Sequence, residues 1–176
     1  MVDVTSSTWF PVVTLVTGYI MKVVSDRLEH SRILQREREN RKEMRRIQLA
    51  ERRADFQRQT LLDLQEALQD FARAAGAAHH SDLMALKKTG TWGQELLPKE
   101  IDDNLLTANR RCLTLGVRVR DESARNLVES FRTHTNSISL KSNKKEAQDE
   151  LTMSAQILET LQKRIGELLH KLDDEE

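Results

Sequence analysis

LLDLQEALQDFARAA, residues 61–75, is the stretch whose reading decides the fold. Leu61, Leu64, Leu68, Phe71 and Ala75 follow one another at alternating spacings of three and four. A helix turns by about 100° per residue, so this spacing collects them on one narrow face, the seam that coiled coils and long bundles bury. The residues between them are strong helix formers, and local propensity agrees with the pattern. Leu61, Leu64, Leu68 and Phe71 are therefore the expected helix-packing residues.

Toward the N-terminus the register continues through Gln57, Ala54, Ala50 and Ile47. Phe56 and Leu62 widen the face, which favours a globular bundle over a strict two-stranded coil. Toward the C-terminus the helix is expected to run past Ala78, His79 and His80 to about Lys88, where TGTWG stops it. Pro98 then sits where a helix would start, with Glu100, Asp102 and Asp103 placing negative charge in its first turn. One stripe, Ile101, Leu105, Ala108, Cys112, Leu115 and Val119, is followed by a second register, Leu113, Val117, Arg120, Ala124, Leu127, Phe131, His134 and Ile138. This reads as one helix with a kink near Gly116 and Asp121, where aspartate would be a good N-cap. Asn143 and Glu146 have the spacing of a capping box, and Leu151, Ala155, Leu158, Ile165, Leu168 and Leu172 line a shorter final helix.

Residues 47–88 and 98–138 would each give a helix of about 60 Å, the matched lengths that antiparallel neighbours need. The fold class expected is all-α: an N-terminal anchor helix (1–24), a charged helical stalk (25–46) and an antiparallel bundle (47–176). The bundle has three helices, or four if the middle one breaks near Gly116. Composition agrees, with 32% charged residues, 4% aromatics, two prolines and six glycines. The single cysteine, Cys112, excludes an intrachain disulfide and fits a reducing compartment.

From Ser25 to Arg53, the stalk and the start of the bundle, the chain carries no glycine or proline, and it is wholly polar over residues 35–43. Before it stands WFPVVTLVTGYIMKVV, residues 9–24, the one dense apolar run of the chain. At 1.5 Å per residue it covers about 24 Å, short of a hydrocarbon core of about 30 Å unless its flanks contribute. Trp9, Phe10, Val12, Val13, Leu15, Val16, Tyr19, Ile20 and Met21 are the expected membrane-anchor residues. Lys22, Arg27 and Arg32 would meet lipid headgroups, the lysine by snorkelling. A buried core helix, an interfacial helix and a cleaved signal peptide are the competing readings. The last is weakest, because residues 1–8 carry no lysine or arginine. Asp3 is the only charged side chain before the run, whereas lysine and arginine exceed acids over residues 22–53. That bias sets a single-pass orientation with the N-terminus outside and the C-terminal domain in the cytoplasm.

LLDLQEALQDFARAA, TGTWGQELLP, ANRRCLTLGVRVRDE and RIGELLHKLDDE together resemble uncharacterised bacterial proteins with a short N-terminal membrane-anchor segment and a helical cytoplasmic domain. The resemblance covers nearly the whole chain. It implies a membrane-attached helical protein and no catalytic residues.

Candidate chemistry is sparse. His79 and His80 diverge as adjacent helical residues do, and His79 with Asp82 makes only two ligands, so no metal site is expected. His30, His134 and His170 are linked by no pattern. Cys112 lies on an apolar stripe, where a buried structural role outweighs activation by Arg110 and Arg111. TGTWG lacks the lysine and the strand-to-helix setting of a phosphate loop. Trp92 is expected to pack this loop over the bundle end, with ligand stacking as the alternative. The stretch 36–53 superficially resembles a basic-region zipper, but Glu37, Glu39, Glu43 and Glu51 are interleaved in sequence, so no nucleic-acid partner is expected and anionic lipid is preferred.

These readings describe a non-enzymatic, cofactor-free, membrane-anchored interaction protein: a scaffold, adaptor or assembly subunit whose protein partner the sequence does not name. Alternatives are a membrane-active holin-like oligomer, drawing on Thr14 and Gly18 for close helix approach, and a small-ligand sensor or enzyme using the Trp92 end. Gln57, Ala50 and Ala54 leave the seam thin, which predicts a weak homodimer strengthened by confinement to the membrane.

Overall fold

A computed structural model gives the architecture. The structure describes residues 9–93 and 95–174, and before Gln35 it describes side chains only at Leu15, Met21 and Lys22. Among the described residues the chain is all-helical: α1 (Trp9–Thr89), α2 (Lys99–Gly116), α3 (Glu122–Ser137), a single 3-10 turn (Ile138–Leu140) and α4 (Lys144–Asp174). It divides into two compact units, Met1–Glu51 and Arg52–Glu176.

In the first unit the described residues are one stretch of α1. Pro11 is tolerated in its first turn, where backbone N–H groups have no helical acceptor. Every side chain from Gln35 to Ala50 is exposed, so this helix has no core contacts to draw on. Its support is local: Gln35 to Glu39 at 3.2 Å, Arg41 to Glu37 at 3.5 Å and Arg46 to Glu43 at 3.8 Å. Such pairs contribute about 0.2–0.5 kcal/mol each.

The second unit is a helical bundle. α1 buries Gln57, Leu61, Leu64, Leu68, Phe71, Ala75 and Ala78, the three-four seam. Phe56 and Leu62 do not widen it; Phe56 is 54% exposed and Leu62 also faces water, on the side of α1 turned from the core. α1 ends at Gly90, whose φ of 75° lets its N–H reach Leu86 O at 2.9 Å, the left-handed turn that glycine adopts without steric cost.

Cross-helix pairs give the chain directions. Cys112 Sγ donates to Ala67 O, while Gln57 meets Arg118 and Arg120, so α2 runs antiparallel to α1. Arg132 Nε donates to Asn109 Oδ1 at 2.9 Å and Gly116 approaches Val128, which reverses direction again into α3. Pairing of His134 with Glu150 and of Arg164 with Asp121 brings α4 back antiparallel to α3. At the centre Phe71 and Phe131 meet edge to face, with ring centroids 5.7 Å apart.

The middle segment is not one kinked helix. α2 stops at Gly116 and α3 begins after Asp121, whose carboxylate caps it by accepting from Ala124 N at 2.8 Å. The first members of the second register therefore lie outside the core, Val117 being 69% exposed, while Ala124 and Phe131 lie on the inner face of α3 and Ile138 is buried in the 3-10 turn that follows. The final helix differs too. With 31 residues α4 is longer than α2 or α3, and its buried positions are Ala147, Ser154, Leu161 and Ile165, with Ala155 exposed. Asn143 caps it by accepting from Glu146 N at 2.9 Å.

Candidate functional site

The bundle offers two ends. At one, α1 carries His79 and Asp82 inward, both more than nine-tenths buried, and turns His80 to solvent. The loop after α1 folds back, setting the Trp92 ring 5.5 Å from the His79 ring at 55°. Trp92 Nε1 donates to Lys141 O at 3.1 Å, which ties the loop to the segment between α3 and α4. Both ring nitrogens of His79, and Thr135 Oγ1, are buried without a hydrogen-bond partner among the described residues. Leaving such groups unpaired costs about 1–3 kcal/mol each. Burial raises the Asp82 carboxyl above its ordinary range, with the nearby His79 pulling the other way.

Beside this cluster lies an ionic knot that joins α3 to α4. Glu150 takes His134 Nδ1 at 2.6 Å and Lys141 Nζ at 2.7 Å. The lysine, then the histidine, hold its carboxyl down at about 2. His134, Lys141 and Glu150, with Glu146, Asp149 and Met153, line a recess of about 240 Å³. Glu146, Asp149, Glu150 and Met153 share one face of α4, but His134 and Lys141 come from outside it, and no helical spacing links them to Glu150 in sequence. No group of three or more histidine, cysteine, aspartate or glutamate side chains among the described residues is arranged to hold a metal ion.

At the opposite end Gln57 reaches the α2–α3 turn. Its Nε2 donates to Arg118 O at 3.0 Å and its Oε1 accepts from Arg120 N at 2.9 Å. The seam is therefore not thin at Gln57, where the amide is committed within its own chain. A groove of about 260 Å³ opens beside it, with Leu61, Val119, Leu168 and Leu172 as its apolar wall and Arg120 at its edge.

Cys112 is fully buried and donates to Ala67 O at 3.2 Å. Burial pushes its thiol up to about 12, and the weaker pull of Arg132 and Arg111 does not offset it. Arg111 turns instead to Glu66 at 2.6 Å and Asp70 at 3.2 Å. Such a thiol is inert rather than nucleophilic.

Leu61, Leu64, Leu68 and Phe71 come together in one core cluster. Of the residues assigned to the membrane, Leu15, Met21 and Lys22 are exposed. The side chains of Trp9, Phe10, Val12, Val13, Val16, Tyr19, Ile20, Arg27 and Arg32 lie outside the described residues, as do those of His30 and Thr14, and the surroundings of Gly18. Among the described residues no helix is long and apolar enough to cross a membrane. No family model, no curated protein and no solved structure matches the chain.

Proposed function

We propose that the protein is a membrane-anchored helical interaction protein, a scaffold, adaptor or assembly subunit, with its N-terminus outside and its bundle in the cytoplasm. The observation that carries this reading is the order of the sequence: an apolar run over residues 9–24, with Asp3 the one charged residue among residues 1–8, followed by a stretch dominated by arginine and lysine. The bundle supports it in kind. Leu62, Leu106 and Leu113 are exposed on its helices and give a partner apolar surface to meet. A second copy would pack most readily at the exposed Ile47 and Ala50, giving a weak dimer.

The test is fractionation. Full-length protein should stay with the membrane pellet through high salt and alkaline carbonate, and deleting residues 1–24 should release a soluble helical fragment. Full-length protein that is soluble without detergent would overturn the reading.

A further inference from the structure

In sequence, the cations and acids of residues 36–51 alternate. Wound into α1, all but Arg36 separate, Arg36 lying among the acids. At about 100° per residue, Arg38, Arg41, Lys42, Arg45 and Arg46 fall within an arc of about 140°, and Glu37, Glu39, Glu43 and Glu51 occupy the other side. Leu49 sits inside the basic arc and is 51% exposed. Every one of these side chains is exposed. The two ion pairs that cross between the arcs, Arg41–Glu37 at 3.5 Å and Arg46–Glu43 at 3.8 Å, are open to water and hold their cations weakly.

We infer that this face docks on an anionic bilayer surface, with the helix axis lying along the membrane. A flat anionic surface meets one side of a helix and leaves the other in water, which suits an arc of cations backed by an arc of acids. A nucleic-acid groove surrounds more of a helix and would bring phosphates against those glutamates. Leu49 among the arginines points the same way, since an apolar side chain gains from entering the headgroup layer while flanking cations contact phosphates.

The inference rests on the protein being at a membrane, and it adds a geometry. A helix continued straight out of the bilayer would carry Arg41 about 25 Å beyond Val24. Screening removes headgroup attraction within a length of about 8 Å. The face reaches lipid only where the axis turns along the surface or the apolar run itself lies in the interface.

The test uses full-length Leu49→Cys protein labelled with an environment-sensitive dye; the buried Cys112 thiol stays unlabelled in the folded state. In vesicles of phosphatidylcholine mixed with phosphatidylglycerol the dye should shift to the blue, and high salt should reverse the shift. Phosphatidylcholine alone should leave the dye in water. Replacing Arg38, Arg41, Lys42, Arg45 and Arg46 with glutamine should abolish the shift, raising the anionic lipid needed at least about a hundredfold. Replacing Glu37, Glu39 and Glu43 with glutamine should retain it, which separates the charge effect from loss of helix. A dye that stays wet on anionic vesicles, or shifts equally on neutral ones or in the variant lacking those five cations, would overturn the inference. So would duplex DNA that competes the labelled face off the vesicles. Retention in the carbonate pellet reports the anchor separately from the dye, so either reading can fail alone.

Discussion

Glu150 concentrates the electrostatics of the bundle in one carboxylate. Lys141 and His134 hold it at about 2 in the folded chain, against an ordinary 4.5. A carboxyl depressed on folding stabilises the native state fully above its unfolded value, and that contribution disappears as pH falls through the folded one. Thermal melts should therefore lose stability between about pH 5 and pH 2, and Glu150→Gln should flatten that limb while lowering the midpoint at neutral pH. An unchanged acid limb in the variant would mean that other carboxylates set it. The same scale shows what a sequence conceals. The burial of Leu64 and Leu68 follows from spacing, and His79, four residues after Ala75, shares their face; the approach of Trp92 to it does not follow, because it depends on where a glycine-containing loop returns. Gln57 occupied a seam position and read as a weakness. Its two bonds to a turn 61 and 63 residues away make it a clamp instead.

The connection from α2 to α3 falls where the sequence marked a kink or a break, at Gly116 and Asp121, and Gly116 explains its geometry. A Cβ built there would stand 2.9 Å from Val128 Cγ1, inside any real contact distance. Gly116→Ala should thus destabilise the bundle by about 1–3 kcal/mol through overpacking, outweighing the roughly 0.5–1 kcal/mol that alanine gains in helix propensity. Adding Val128→Ala should recover part of the loss. A double-mutant cycle in chemical denaturation measures that coupling, and strictly additive effects would mean that the helices do not meet here. The break was hard to read because apolar residues keep a three-four rhythm on both sides of it. The deciding contacts, the Asp121 cap and the Gln57 clamp, are polar and partly long-range. In α4 the helix itself was legible from its cap and period, but a buried serine at Ser154 in place of an apolar residue moved the apparent stripe to Ala155 and hid Leu161.

At the scale of the molecule, composition and period made the all-helical character plain, because few prolines and long three-four runs leave little else to form. The candidate sites were less legible, since ionic pairs such as Arg164–Asp121 join segments far apart in sequence. One feature spans both units: α1 is uninterrupted from Trp9 to Thr89, yet its buried side chains begin only at Gln57 among those described. An isolated polar helix is held by local bonds that open in microseconds, whereas a helix packed in a core opens only when the core does. Deuterium should therefore enter the amides of residues 36–51 early and those of residues 61–75 late, with the step falling inside a single helix. Uniform protection along α1 would show that another surface covers the polar stretch. If the step is found, one continuous helix keeps two clocks: its polar part can unwind and rewind many times during a single lifetime of the folded core.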